Sequence, residues 1–251
     1  MFNVEMRIDM AIEVFNRLEK KYLIDVDTYN KFCKAIEPYM DNDKYCVNGS
    51  FYSINNIYYD TDTDELIRRS IDKPPYKEKL RLRSYGVPNL EDKVFLEIKK
   101  KFDGVVNKRR TVIKLSKAYD FLDKGIVPTT SSYLNPQVVK ELSYFIDFYK
   151  PLPKVFLKYD RKAMFGKEDE NLRITFDRNI TTRRYDLRLE AGDYGDLLLE
   201  DDKILLEIKT IHSFPLWLVS ILSEYEIKNT SFSKYGTEYT KFIKKTYGME
   251  N

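Results

Sequence analysis

The segment Tyr76-Lys77-Glu78-Lys79-Leu80-Arg81-Leu82-Arg83-Ser84-Tyr85-Gly86 alternates cations with apolar residues, a period of two that only an extended strand converts into two distinct faces. Lys79, Arg81 and Arg83 then share one face, and Leu80 and Leu82 share the other. The same period returns at 95–99, 172–177 and 205–209, each time with long β-favouring residues on the second face. Any one such strand also fits an open sheet with a solvated side. Solvated faces mix Thr, Ser and Gln with Lys, however, whereas here Arg, Lys and Glu recur in tight register, which fits a charged lumen better. The expected fold is mainly β (α+β): a closed antiparallel barrel of about eight strands, lined by cations and a few carboxylates, with peripheral helices.

Residues 1–15 carry weak apolar periodicity at Met6, Met10, Ile12 and Val14, which reads equally as a short helix or an extended lead-in. A strand over 17–23 puts Arg17, Glu19 and Lys21 on one face, and Asp25 or Asp27 caps a helix over 28–37 that Pro38 stops. A second strand is expected over 50–59, and a short helix runs from the acidic stretch 60–65 to about Ile71. Strands over 92–101 and 105–114 flank the hairpin signal Phe102-Asp103-Gly104, and the return strand turns Lys108, Arg110 and Val112 to one side. Helical patterns at 116–124 and 136–149, joined by the Pro/Thr/Ser stretch 128–132, form an insertion rather than a second domain. Strands follow at 154–164, 171–178 and 203–210, with an irregular pairing segment near 185–189. Helices over 214–225 and 234–245 end the chain, with Leu216, Val219, Ile221 and Leu222 expected on the outer wall of the barrel. A chain of 251 residues in this pattern is expected to be one domain over 1–251.

If the strand faces converge, Lys21, Lys79, Arg81, Arg83, Lys99, Arg173 and Lys209 share a cavity with Glu19, Glu97 and Glu207. So many buried cations need anions, because each ionised group costs several kcal/mol to desolvate. Closely spaced phosphate groups meet that need, and the arginine fork matches phosphate oxygens. The carboxylates have two readings: internal ion pairs, or ligands of Mg²⁺ or Mn²⁺ whose shell phosphate oxygens complete. Glu207, alone between Leu206 and Ile208, is the first choice for metal, ahead of Glu19 and Glu97.

Other chemistries find little support. The single histidine, His212, is expected in a helix-entry or surface role, and no Gly-rich phosphate loop or paired nucleophile and base occurs. A net charge of +3 is too balanced for a nucleic-acid binder. Cys33 and Cys46 read as buried thiols, not a disulfide, which implies a reducing compartment. No apolar run is long enough to span a bilayer and the N-terminus has no h-region, so a cytoplasmic protein is expected.

The segments RLEKKYLID (17–25), KLRLRSYG (79–86), FLEIKKK (95–101), YDRKAMFG (159–166), LRITFD (172–177), LLEIKT (205–210) and SFSKYG (231–236) resemble, in this order, the catalytic VTC domain. That family is the polyphosphate polymerase branch of the triphosphate tunnel metalloenzymes (CYTH-like). The resemblance covers about residues 15–240. It implies a tunnel in which the γ-phosphate of ATP, or of another nucleoside triphosphate, extends a polyphosphate chain with the help of Mn²⁺ or Mg²⁺. It further implies that Lys21, Arg81, Arg83, Lys99, Arg161, Arg173, Lys209 and Lys234 contact phosphate and act in catalysis and that Glu207 binds metal, and strand parity adds Lys79 to the substrate-binding set. Position 17 is Arg where many tunnel phosphatases carry the first Glu of a Glu-x-Glu-x-Lys motif, which removes one carboxylate for a second metal. Hydrolysis of tripolyphosphate, pyrophosphate or a nucleoside triphosphate in the same tunnel, or polyanion binding without catalysis, are the alternatives.

Overall fold

The computed structural model describes residues 18–248 apart from Gly104 and Thr130. The reading of residues 1–15, and the placement of Arg17, lie outside the described residues. In chain order the elements are β1 (Leu18–Asp25), α1 (Val26–Ile36), β2 (Met40–Asn42), β3 (Tyr52–Asp60), α2 (Glu65–Asp72), β4 (Tyr76–Tyr85), β5 (Lys93–Phe102) and β6 (Val105–Lys114). They continue as α3 (Leu115–Lys124), α4 (Pro136–Tyr149), β7 (Leu152–Gly166), β8 (Arg173–Arg183), β9 (Asp196–Leu197), β10 (Lys203–Thr210), α5 (Leu216–Glu224), β11 (Asn229–Thr230) and α6 (Lys234–Thr246).

Every ladder is antiparallel, in the order β11-β1-β10-β8-β7-β3-β4-β5-β6, with β2 added to β7 and β9 to β8. Register fixes which residues look inward. Lys79, Lys99 and Lys108 form one rung across β4, β5 and β6; Arg81, Glu97 and Arg110 form the next, and Arg83, Phe95 and Val112 the third. On the opposite wall Lys21 and Thr175 flank Glu207, while Glu19 and Arg173 flank Lys209. Among the described residues no backbone ladder joins β6 to β1. The twisted sheet nevertheless curves into a tunnel: Lys21 on β1 reaches the Phe232 carbonyl at 3.1 Å and Lys79 on β4 reaches the adjacent Ser233 hydroxyl at 3.5 Å, so the two distant strands meet over one short segment.

The opposite strand faces build the walls. Leu80, Leu82, Leu96 and Ile98 meet Phe121 of α3 and Leu142 and Phe145 of α4. Burying each such side chain contributes about 1.5–3 kcal/mol. Ile174, Phe176, Leu206 and Ile208 meet Phe32 and Ile36 of α1 and Leu218 and Leu222 of α5. The Asp25 carboxylate caps α1 by accepting the Thr28 N–H at 2.7 Å, and Phe32 and Ile36 stand one turn apart on the buried face. On α5 the expectation fails in part: Leu216 and Val219 are 85 and 47 % exposed, and Leu218, Ile221 and Leu222 carry the packing. Their spacing is the one-face spacing of a helix, which leaves the other apolar residues to solvent.

The third apolar cluster lies inside. Tyr58, Val155, Leu157, Tyr159 and Leu205 of the sheet pack against Ile67 of α2 and against Tyr235 and Tyr239 of α6, which lines one end of the tunnel. Ser233 caps α6 by accepting the Gly236 N–H, which places Lys234 at the first helical position and against the lumen. Cys33 and Cys46 are free thiols, as expected. Among the described residues no helix is long and apolar enough to cross a membrane.

Candidate functional site

The lumen is organised by two carboxylates that arginine forks hold in place. Glu97, 2 % exposed, accepts the Arg81 Nε–H at 2.6 Å, pairs with Lys108 Nζ at 2.6 Å and lies 3.9 Å from Arg83. Burial pushes its carboxyl up, but Arg81, Arg83 and Lys108 together hold it well below the usual range. Asp177, fully buried, takes both arms of Arg161 at 2.7 Å and Lys234 Nζ at 2.5 Å. Burial likewise raises its carboxyl, and Arg161 and Lys234 bring it down. Each fork is therefore fixed in direction before any ligand arrives, with part of its donor set left to the lumen.

The remaining cations have looser partners. Arg83 donates from Nε to the Asn56 side-chain oxygen at 2.9 Å and from Nη2 to the Tyr159 hydroxyl at 3.0 Å. Arg81 also reaches the Tyr58 hydroxyl at 3.3 Å. Lys21 donates to the Phe232 carbonyl at 3.1 Å. Among the described residues Lys79 reaches only the Ser233 hydroxyl, at 3.5 Å. Arg173 lies over the Phe165 ring, 3.7 Å from Asp43, and its buried Nε has no acceptor among the described residues. Among the described residues neither Lys79 nor Lys99 has a carboxylate within ion-pair distance.

Three lysines thus stand side by side on one rung, and only Lys108 has an acidic partner. Like charges directly opposite each other on neighbouring strands are destabilising. Burial and the neighbouring cations lower all three: Lys79 to about 8, under the influence of Lys99, Lys21 and Lys77; Lys99 through Lys209, Lys21 and Arg81 despite Glu19; and Lys108 to about 7, through Arg81 and Arg83 despite Glu97. Tyr58 responds in the matching sense. Burial raises its phenol, and Arg81, Arg83 and Lys79 more than reverse that, to about 8.

Glu207 and Glu19 differ in kind from Glu97. Among the described residues the groups within ion-pair distance of Glu207 are ammonium groups, Lys209 at 3.2 Å, Lys234 at 3.4 Å and Lys21 at 3.6 Å, with the Arg161 guanidinium further off. Glu19 shares two of them, Lys21 at 3.4 Å and Lys209 at 3.5 Å. Burial raises both carboxyls; Lys234, Lys209 and Lys21 lower Glu207 well below its usual value, and Lys209 and Lys21 lower Glu19. Lysine pairs swing away more readily than arginine forks, so this carboxylate pair fits a divalent cation delivered with phosphate. Glu97, enclosed by Arg81, Arg83 and Lys108, serves as an ion-pair anchor. Among the described residues no group of three or more His, Cys, Asp or Glu side chains forms a complete shell, so phosphate oxygens and water would supply the other ligands.

The lumen accordingly brings together Lys21, Lys79, Arg81, Arg83, Lys99, Arg161, Arg173, Lys209 and Lys234 with Glu19, Glu97 and Glu207. The sequence pattern undervalues Lys108, which shares its rung with Lys99, whereas Arg110 turns to the Phe95 ring at 5.1 Å. It also gives no prominence to Asp177, or to Tyr58 and Asn56 of β3. Their signal is the same inward parity, carried by residues without a cationic charge. His212 is exposed on the turn after β10, as expected.

The VTC domain profile matches residues 16–243. The chain belongs to the VTC domain family. No protein of curated function matches it in sequence. Among solved structures it is similar to a candidate adenylate cyclase from Bacillus halodurans, at 13 % identity and a TM-score of 0.53, over 86 % of this chain and 93 % of that one. A second similar structure is a candidate adenylyl cyclase from Hippeastrum described as having a dominant triphosphatase activity: 15 % identity, TM-score 0.51, 89 % of this chain and 95 % of that one. This VTC domain shares its fold with both neighbours.

Proposed function

We propose that this VTC domain is a metal-dependent phosphotransferase that moves the γ-phosphoryl group of ATP to the end of a growing polyphosphate chain. The observation that carries this reading is the lysine rung of Lys79, Lys99 and Lys108, flanked by the fixed forks of Arg81 and Arg161. Adjacent ammonium groups in a buried register ask for a ligand with several negative charges at close spacing, which a phosphoanhydride supplies. Family membership and the tunnel fold support a phosphoanhydride substrate. The cyclase and triphosphatase descriptions of the two neighbours belong to the same chemistry.

In the reaction a terminal oxygen of the acceptor chain attacks the γ-phosphorus, the bond to the β–γ bridging oxygen breaks, and ADP leaves. Such transfer needs positioning and charge neutralisation more than covalent help. Arg81, Arg83, Arg161 and Arg173 orient phosphoryl oxygens, while Lys21, Lys79, Lys99, Lys209 and Lys234 offset their charge. Glu207, with Glu19, would hold Mg²⁺ or Mn²⁺, which when bound draws charge from the β and γ oxygens. Incubation with ATP and either metal, with products resolved on a gel, tests the reading. Long polyphosphate is the expected product. Orthophosphate alone would make water the acceptor, as in a triphosphatase, and no metal-dependent turnover would leave a polyanion-binding module.

A further inference from the structure

The tunnel mouth opposite α6 is built differently from the cationic band. Tyr52 on β3, Tyr85 at the end of β4 and Phe95 at the start of β5 face inward there, and Tyr45 reaches in from the loop after β2. The four rings form one continuous patch. Tyr45 and Tyr85 are nearly parallel, 17° apart with centroids at 6.0 Å; Tyr52 lies 6.1 and 5.9 Å from them, and Phe95 meets Tyr85 edge-on at 5.7 Å. Tyr45 and Tyr85 remain 42 and 48 % exposed, so the patch is an aromatic surface and not a filled core. Gly86, at a φ of 73°, turns the chain sharply behind Tyr85 and lets its N–H bond back to the Ser53 carbonyl, which fixes the ring's position on the rim.

A bare phosphate chain has no use for such a surface, because it has no apolar face. The residues deeper in the tunnel do suit phosphate. Arg83 is the next inward residue on β4, about 6.8 Å deeper along the strand, and it stands in register with Phe95. Tyr52 stands in register with Arg161 on β7, and among the described residues the buried Arg173 Nε has no acceptor of its own. A ligand seated on the rings with a chain of phosphates leading inward would meet an arginine within one strand repeat. We propose that Tyr45 and Tyr85, backed by Tyr52 and Phe95, form a stacking subsite for the base of a nucleoside triphosphate whose phosphates enter the cationic lumen from this mouth. The subsite rests on the phosphoanhydride-binding reading of the lumen and adds to it the rings on which the base of the entering nucleotide is seated. Every base has a π-face, so the subsite favours nucleotides as a class over inorganic polyphosphate and selects weakly among bases.

The test compares ATP with tripolyphosphate in EDTA, where no metal-dependent turnover intervenes, by calorimetric titration. Replacing both exposed rings, Tyr45→Ala with Tyr85→Ala, should weaken ATP binding by about 5–150-fold, the range for losing base stacking, and leave tripolyphosphate binding unchanged. The ring-preserving pair, Tyr45→Phe with Tyr85→Phe, should retain ATP affinity. In the unmodified protein, saturation of the tyrosine ring protons should transfer to adenine H2 and H8, which needs no variant to fold. Equal loss for both ligands, no loss for ATP, or no transfer to the adenine protons overturns the subsite while tripolyphosphate binding keeps the lumen reading intact. If the unmodified protein binds neither ligand, the lumen reading fails and the subsite with it.

Discussion

Lys79 and Lys108 sit at the two ends of one rung, lowered to about 8 and about 7, and this makes anion binding a proton-linked event. The sign is set by the free state. At pH 8 to 9 much of this pair is neutral in the empty lumen, and a bound polyanion favours the charged form, so each lysine regains a proton on binding. ATP affinity is therefore expected to fall as pH rises from 7.5 to 9, with net proton uptake. Calorimetry in two buffers of different ionisation heat at pH 8.5 measures it, and a buffer-independent heat would show that neither lysine faces the ligand. At Glu207 the ring of three lysines predicts a separation of binding from turnover. Glu207→Gln should abolish ATP turnover and leave polyphosphate binding equal or tighter, since a negative charge is removed; wild-type turnover would refute the metal assignment. Arg81→Ala acts in the opposite sense, weakening polyphosphate binding by about 1.5–3 kcal/mol, the range for hydrogen bonds to charged groups. It also frees Glu97 from its strongest partner, so a loss of stability should accompany the loss of binding.

At the level of elements, α6 is the part that packs across the inner face of the curved sheet and carries Lys234 to the lumen. Asp60 at the end of β3 anchors it: its carboxylate accepts the Thr61, Leu66 and Ile67 N–H groups, each at 2.8 Å, and the Tyr235 hydroxyl at 3.2 Å. Arg184 grips Glu238, one turn further along the same buried face of the helix, through two bonds of 2.7 and 2.8 Å. Asp60→Ala leaves buried N–H groups unpaired and should cost at least about 1–3 kcal/mol in urea unfolding. It should also weaken polyphosphate binding, because Lys234 rides on α6. Asn135→Ala removes the cap that accepts the Gln137 and Val138 N–H groups on α4, far from the lumen, and should cost about 1 kcal/mol with binding unchanged. Equal effects of the two variants on binding would deny α6 its special place.

The elements also show what a sequence can and cannot reveal. The long strands are legible because charge alternates with bulk along them, and parity alone places Arg81, Arg83, Lys99, Glu207 and Lys209 in one lumen. The two- and three-residue strands β2, β9 and β11 are not legible, since so few residues carry no period. The outer face of α5 is misread from sequence because apolar residues surround that helix, and only the packing partner decides which of them is buried. Asp177 and Tyr58 escape notice for a different reason: their importance lies in partners far along the chain, and no local pattern records that.

For the molecule as a whole, a formal net charge of +3 conceals a sorted distribution. Acidic residues elsewhere in the chain offset the cations concentrated in the lumen, so the driving force for a polyanion is local and the long-range field is weak. A ligand that binds only the folded tunnel stabilises it by RT ln(1 + [L]/Kd), about 2.7 kcal/mol at a hundredfold excess over Kd. For a chain of this size each kcal/mol raises Tm by about 2–4 °C. Tripolyphosphate should therefore raise Tm by several degrees, and sulfate at equal concentration should do less, because one sulfate cannot span the lysine rung and the two arginine forks together. Sodium chloride should erode the effect only partly. The Debye length falls to about 3 Å at 1 M salt, but Arg161 and Lys234 are shielded by the walls that hold them, with side chains only 11 % exposed. A thermal scan across tripolyphosphate, sulfate and salt reads all three. No shift at millimolar tripolyphosphate would mean that Glu97, Asp177, Glu207 and Glu19 already neutralise the lumen among themselves and the cations, and the lysine rung would then need another explanation than a bound phosphoanhydride.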